Sequence, residues 1–558
     1  RPGWGPIGSY DFQFEVTGAV TIKANAAATG TFRISWPNGT TNTYSGNNAS
    51  IAAPDGTAGI VSINNEELDT TYMDEFAIVS GQTNVSKVIS WGNNAWGAMS
   101  QAFNGCTSLS DISTTKFIAS TGANIVKMFN GCTSLLEADI RNWDLTAGVN
   151  WYGGSPFSGL VNLQKLDMTG MNIKLTVRSD NAFSSIGTAV TNGCEFLMSN
   201  INWSTSTSDY TVYWFSSAKL NPNSNLSNWI FPTSGWSGLG MFNSADITGT
   251  NSTLNLSGWS TYSGTQLPQF NNFNDPAEDT GLKVDMSNMG MSNVNDMSSM
   301  FYYADVSEVV GLSTWGATAG GVNMSNMFVG AYYMKFSASD NFTSTFVNSL
   351  TPSNVMQAFQ LTGNGLTSGY GVAPNITNID LSNVSSFHQF FAYSRFTNVP
   401  AVQTATFPST AISLSGLFLG ARFISSSETH VDFSNVTVKL NNTTNMFNGT
   451  WVDKVTFGNN VDFSAVTTVS SMHYYMNNLN PDGTTTELTY PTNADFSSLT
   501  TTGNWFAGVQ SPTTGPLVTC QIDNLIRRFR ATAYGSALNV NFYQSQITEA
   551  PSLVNAQE

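Results

Sequence analysis

Asp285-Met286-Ser287-Asn288-Met289, followed by Ser292-Asn293-Val294-Asn295-Asp296-Met297-Ser298-Ser299-Met300-Phe301, contains two landmarks that return along most of the chain. The second landmark ends on a Phe, and equivalents recur about every 26 to 33 residues: Phe103, Phe129, Phe157, Phe183, Phe215, Phe242, Phe273, Phe301, Phe328, Phe359, Phe391, Phe418, Phe447 and Phe506. His473 takes the same place in Ser470-Ser471-Met472-His473, giving about fifteen repeats. A large apolar residue often precedes the anchor (Met128, Trp214, Met300, Leu417), and another lies three residues earlier (Met297, Met324, Val355, Leu414). The i, i+3, i+4 spacing predicts one short helical turn with a buried face.

The first landmark alternates instead: Asp139-Ile140-Arg141-Asn142-Trp143, Leu226-Ser227-Asn228-Trp229, Asp380-Leu381-Ser382-Asn383-Val384 and Asp432-Phe433-Ser434-Asn435-Val436. Period-two burial belongs to a short strand. One strand and one helical turn cannot enclose a core alone, so each repeat must stack on its neighbours. The expected fold is a β-rich repeat solenoid with one short parallel strand and one helical turn per repeat. At a strand spacing of about 4.8 Å, fifteen repeats would run for roughly 70 Å, which places function on a long surface.

Composition narrows the function classes. Only 10% of residues are charged, aromatic residues reach 12%, and the chain has 48 glycines, so solubility rests on neutral polar groups. That balance suits β-rich extracellular, cell-surface or virion material. A net charge of −16 argues against nucleic acid, which needs clustered Lys and Arg. No apolar run is long enough to cross a bilayer, so membrane insertion is not expected, and with no secretory signal at the start the expectation is either a chain mature after cleavage or export by another route, such as assembly into a virus particle. Four cysteines are too few for a disulfide framework. Cys106 and Cys132, in two copies of Phe-Asn-Gly-Cys-Thr-Ser-Leu, read as small buried hydrophobes, as does Cys194.

Three regions follow. Residues 1–88 lack the repeat but alternate at Phe12, Phe14 and Val16, at Val20 and Ile22, over Thr31–Trp36, over Gly59–Ile63 and over Phe76–Val79. The prediction is an antiparallel β-sandwich capping the first repeat. Residues 89–511 carry the array, and the longer repeats ending at Phe215, Phe273, Phe359 and Phe391 are expected to protrude as loops. Residues 512–558 are expected to form a helical cap, over about 519–533, and a tail, with Arg527-Arg528-Phe529-Arg530 on its wet side.

The Asp-Leu-Ser-Asn-Trp-like strands followed by Ser-Asn-Val-x-x-Met-x-x-Met-Phe resemble the BspA-type leucine-rich-repeat surface proteins. The junction Ile89-Ser90-Trp91-Gly92 with Trp96, Met99, Phe103 and Cys106 is similar to their entry into the array. The resemblance covers roughly residues 88–534. It implies adhesion or receptor binding, with a protein or glycan receptor or identical subunits as partners, and it brings no catalytic residues.

No chemical motif stands against that expectation. His388, His430 and His473 have no metal-ligand partner at close spacing, and no nucleophile elbow or phosphate loop is present. The chain is expected not to be an enzyme and to hold no cofactor. The carboxylates Asp139, Asp167, Asp285, Asp380, Asp432, Asp462 and Asp495, at the strand starts, could form a calcium ladder, because calcium takes hard oxygen ligands. The competing reading, adopted here, is that each accepts backbone hydrogen bonds in the preceding turn. The candidate ligand contacts are the paired tyrosines Tyr302 and Tyr303, Tyr332 and Tyr333, and Tyr474 and Tyr475, since an exposed tyrosine offers an apolar body and a polar tip. The rival assignment for each pair is ordinary packing. A second function class is a structural subunit of a filament, surface layer or phage particle, assembled through the terminal caps.

Overall fold

A computed structural model describes residues 11–26, 30–65, 73–207, 211–234, 236–274, 281–384, 386–425, 429–476, 487–491, 494–501 and 503–505. The expected helical cap and tail, Cys520 and Phe506 lie outside these residues. The chain is a β-rich repeat solenoid of about 14 turns. It divides into two compact units, Arg1–Asp275 with Thr280–Gly290, and Pro276–Asp279 with Met291–Glu558.

The first unit begins with strands where the alternation placed them: β1 (Phe12–Val16), β2 (Thr21–Ala26), β3 (Thr31–Ser35), β4 (Thr41–Ser45), β5 (Asn47–Ala52), β6 (Gly59–Asn65), β7 (Met73–Ser80) and β8 (Val85–Trp91). Along β1 burial alternates residue by residue, which aims Phe12, Phe14 and Val16 inward. Two sheets result. Strands β8, β1, β6, β3 and β4 join one and β7, β2 and β5 the other, and Phe12 of the first meets Phe76 of the second at 4.8 Å between ring centroids.

Neither sheet ends at residue 88. Strand β8 pairs in parallel with β10 (Asp111–Ile112), and β7 pairs in parallel with β9 (Ala95–Ala98). Beyond β9 the ladder continues through β11 (Ile118–Asn124), β13 (Leu145–Asn150) and β15 (Ile173–Leu175). A separate ladder joins β12 (Glu137–Asp139), β14 (Lys165–Asp167) and Glu195–Leu197 in register. The antiparallel sheets therefore hand their hydrogen-bonding edges directly to the repeats.

The anchors form stacked columns. In the first unit Phe103, Phe129 and Phe157 stack at 5.5 Å, and Phe183, Phe215 and Phe242 follow at 5.2 and 5.1 Å. The next member is Phe270, parallel to Phe242 at 4.8 Å, and not Phe273, which meets Phe242 edge-on at 6.1 Å. The backbone agrees. Phe242 N–H donates to the carbonyl of Gln269, the residue before Phe270, as Phe183 N–H donates to that of Trp214 before Phe215. In the second unit Phe301, Phe328, Phe359, Phe391, Phe418, Phe447 and His473 stack at 5.4 to 5.7 Å.

The predicted helical turn is replaced by something flatter. Among the described residues the only α-helix is Ser344–Leu350. The anchor segments are overlapping tight turns, with a left-handed residue two positions before and two after the Phe: Ser299 and Tyr303 around Phe301, Asn326 and Gly330 around Phe328, Gln357 and Leu361 around Phe359. A positive φ every fourth residue stops a right-handed helix from propagating. It also sends alternate N–H groups out of the repeat. Ser299, Phe301 and Tyr303 donate to the carbonyls of Ser325, Met327 and Val329 in the next repeat, at 3.0, 2.8 and 2.7 Å. The intervening N–H groups, as at Met327 and Ala331, close onto the carbonyl three residues back. Every second amide thus joins a parallel ladder, and the buried polar backbone is satisfied without a helix.

The left-handed positions explain much of the composition, since Gly and Asn adopt that conformation most readily. Gly105 has φ +74 and open space around a built Cβ, so Gly105→Ala should cost only the left-handed penalty of about 1–2 kcal/mol. At Gly193, φ +66, a Cβ would lie 2.6 Å from the Leu220 backbone, and Gly193→Ala should lose a further ~1–3 kcal/mol. Equal urea midpoints for the two variants would contradict the assignment.

The extra residues of the repeat ending at Phe359 do not protrude as a loop. They form the Ser344–Leu350 helix, which buries Phe346, Val347 and Leu350 and sets Phe346 5.3 Å from Trp315. Thr343 caps the helix, its hydroxyl accepting from Phe346 N–H. The insertion is core material because its apolar residues fall at i, i+1 and i+4.

Candidate functional site: a tyrosine-lined face of the second unit

The anchor segment buries its Phe, and some of the positions after it are left half-buried at the surface. In the second unit several of these positions are aromatic. Tyr302 and Tyr303 follow Phe301, and Tyr332 and Tyr333 follow Phe328 by four and five residues; all four are half-buried. Tyr302 and Tyr303 meet edge to face at 4.7 Å, and Tyr303 reaches Tyr332 in the adjacent repeat at 6.1 Å. Two glycines make room for them. A Cβ on Gly330 would lie 2.7 Å from the Tyr303 ring, and one on Gly365 would lie 2.8 Å from that of Tyr333. Burial together with the neighbouring Tyr303 holds the Tyr332 phenol above its ordinary pKa.

The structure thus joins two of the three predicted pairs into one cluster. The third, Tyr474 and Tyr475, is also half-buried and forms its own edge-to-face contact at 4.1 Å. A hydrogen bond with Tyr475, in which the Tyr474 O–H donates, and, secondarily, desolvation raise the Tyr474 pKa. Sequence reasoning missed Tyr393, which is 39% exposed and lies two residues after Phe391 with its ring over Gly420. Its signal is the left-handed position it shares with Tyr303 and Tyr475, each two residues past an anchor.

The anchors Phe103, Phe129, Phe183, Phe242, Phe301, Phe328, Phe418 and Phe447 are fully buried. They hold the face in place and do not reach it. His473 is buried too, its ring parallel to Phe447 at 5.6 Å and its Nε2 2.6 Å from the Tyr490 hydroxyl. Burial pulls its pKa down from 6.5 to about 3, so the ring is neutral. His388 is exposed, and His430 Nε2 lies 2.8 Å from the Thr456 hydroxyl. Cys106, Cys132 and Cys194 are free and buried; burial pushes the Cys106 thiol up to about 12, and Cys132 Sγ donates to the Phe103 carbonyl. A thiol so far from ionisation is not a nucleophile.

The seven aspartates accept backbone hydrogen bonds from the residue two positions later, at 2.8 to 3.2 Å. The turn they serve is therefore the following one, and Asp139, Asp167, Asp285 and Asp462 end their strands instead of starting them. Nor do they form a ladder. Asp139 and Asp167 are adjacent, but the next partner is Leu197, while Asp380 faces Thr406 and Asp432 faces Thr456. Arg141 reaches both carboxylates of the one adjacent pair, at 2.6 Å to Asp139 and 3.4 Å to Asp167. Among the described residues no three His, Cys, Asp or Glu side chains gather as a metal set, and no helix is long and apolar enough to cross a membrane.

What the second unit offers is a contiguous, half-buried aromatic surface on a rigid backbone ladder, suited to binding by contact. Comparison with known proteins adds no name: no family model, curated protein or solved structure matches the chain.

Proposed function

We propose that this protein is a non-enzymatic adhesion or receptor-binding protein, displayed outside a cell or on a virion, which uses its repeat surface to hold a protein or glycan receptor. The observation that carries the reading is the tyrosine cluster Tyr302, Tyr303, Tyr332 and Tyr333, built across adjacent repeats over glycines that leave the rings room. Rings held by a stacked backbone lose little entropy on contact, and tyrosine is the residue type that dominates such interfaces. Membership of the BspA-type leucine-rich-repeat proteins, with the two N-terminal sheets as a sandwich cap, belongs to the same reading. It is supported by the recurring Asp-x-Ser turn and the Phe column.

The test is attachment to a panel of immobilised glycans and cell-envelope preparations. Tyr303→Ala with Tyr332→Ala should weaken attachment by about tenfold or more while the unfolding transition stays cooperative. Undiminished attachment would overturn the assignment.

A second reading, a subunit of a filament or particle, is favoured by one observation. The two N-terminal sheets end on strands β4 and β5, whose outer edges pair with no other strand among the described residues. An open edge is a template for a second chain. Sedimentation at high concentration decides: a monomer throughout removes this reading.

A further inference from the structure

Also in the second unit, four residues after their anchors, stand Arg395 and Arg422. They are register partners on adjacent parallel strands, and Arg422 is bridged in turn to Trp451 of the next repeat. The Arg422 guanidinium lies 4.2 Å from the centroid of the Trp451 ring. Arg395 Nη1 donates to the Leu366 carbonyl at 2.7 Å, while its Nε is buried without an acceptor. Neither arginine has a carboxylate within ion-pair distance among the described residues.

That arrangement is unusual for this chain. It carries 36 acidic residues against 20 basic ones, and some of its cations find acids across repeats, as Lys165 does with Glu195 and Lys439 with Asp462. Here two like charges are stacked in register, and burial and the neighbouring Arg395 charge both pull Arg422 below the ordinary guanidinium pKa. Two guanidiniums side by side repel until an anion lies between them, and their planar forks suit a carboxylate in particular. The rings around them are aromatic: Trp451, Tyr370, which acts electrostatically on Arg422, and the exposed Tyr393. Through Leu366 and Gly365, Arg395 is linked to Tyr333 of the tyrosine cluster, and the repeats from Phe301 to Phe447 together span roughly 24 Å at the usual strand spacing.

We propose that Arg395 and Arg422 bind the carboxylate of an acidic sugar in a receptor glycan, with the flanking rings stacking on the sugar faces. This deepens the receptor-binding reading and rests on it. A peptide carboxylate fits less well, because flat rings recurring over several repeats match a chain of flat-faced units.

The experiment measures affinity of the full chain for a uronic-acid oligosaccharide, the same oligosaccharide with its carboxyls reduced, and an oligoglutamate peptide. The intact uronate should bind and weaken with added salt, and the reduced form should lose most of that affinity. Arg395→Gln and Arg422→Gln should each cost about tenfold, the Lys variants less, and the exposed Lys87→Gln control nothing. Equal binding of the reduced sugar, a double Gln variant that binds like wild type, or oligoglutamate bound as tightly as the sugar overturns the proposal. Should the Gln variants fold poorly, the salt titration of the wild type carries the test, and salt-independent binding overturns it. If receptor attachment survives in the double Arg variant and is lost in the Tyr303/Tyr332 variant, this site falls and the adhesion reading stands.

Discussion

Replacing Phe359 by alanine should cost about 3–5 kcal/mol and break the second unit's cooperativity at that repeat. The ring is fully buried between Phe328 and Phe391, each 5.4 Å away and nearly parallel, and Phe390 and Phe336 close the sides at 5.5 and 6.2 Å. A cavity there cannot be refilled by sliding a repeat, because the backbone ladder fixes its neighbours: Phe359 N–H donates to the Phe390 carbonyl and Phe328 N–H to that of Ala358. In an array held by nearest-neighbour contacts, a hole in one repeat separates the two sides. Urea denaturation should therefore move to lower midpoint and split into two phases, while Phe359→Leu should lose less and stay single. A loss under about 1 kcal/mol would show that the column is not the spine of the fold.

The second large effect is one of pH. His473 occupies an anchor position, and burial lowers its pKa from 6.5 to about 3. Above pH 6.5 neither the folded nor the unfolded chain charges this ring, and its contribution to stability is complete. As pH falls from 6.5 toward 3, the unfolded chain takes up a proton that the fold refuses, and stability drops by about 1.4 kcal/mol per pH unit. At pH 5 the loss reaches about 2 kcal/mol. His473→Phe, which restores the residue found at the other anchors, should abolish this term. The difference between wild type and variant, measured by urea unfolding, should therefore shift by that amount between pH 7 and pH 5. Parallel pH profiles would mean that the ring is solvated. The variant also gives up the contact with the Tyr490 hydroxyl, a fixed offset that the comparison across pH removes.

The period was legible because a stacked aromatic column tolerates few substitutes, so Phe recurs at most anchors and a neutral His fits the remaining one. The local conformation was not. Met297, Met300 and Phe301 are buried at i, i+3 and i+4, as in a helix, but here tight turns separated by left-handed residues produce that spacing. The distinguishing sign lay in the flanks, where Gly105, Gly131, Gly330, Gly420 and Gly449 recur two residues past the anchor and Asn326 and Asn445 two before it. Phe270 and Phe273 were confused because both are apolar, buried and three residues apart, and only ring stacking and backbone pairing between repeats separate them. Of the site, the tyrosine pairs could be read as doublets. Tyr393 and the Arg395–Arg422 pair could not, since each is a single residue per repeat and acquires neighbours only once the register between repeats is known.

The parallel edges that β7 and β8 offer to the first repeat also bear on how such a chain is made. As it leaves the ribosome, the antiparallel sheets can close from their own residues before any repeat exists, and they then serve as a seed. Each following repeat of the first unit then finds its hydrogen-bonding template already in place, so its assembly can follow the order of synthesis, and copies can be gained or lost in whole numbers without disturbing those laid down earlier.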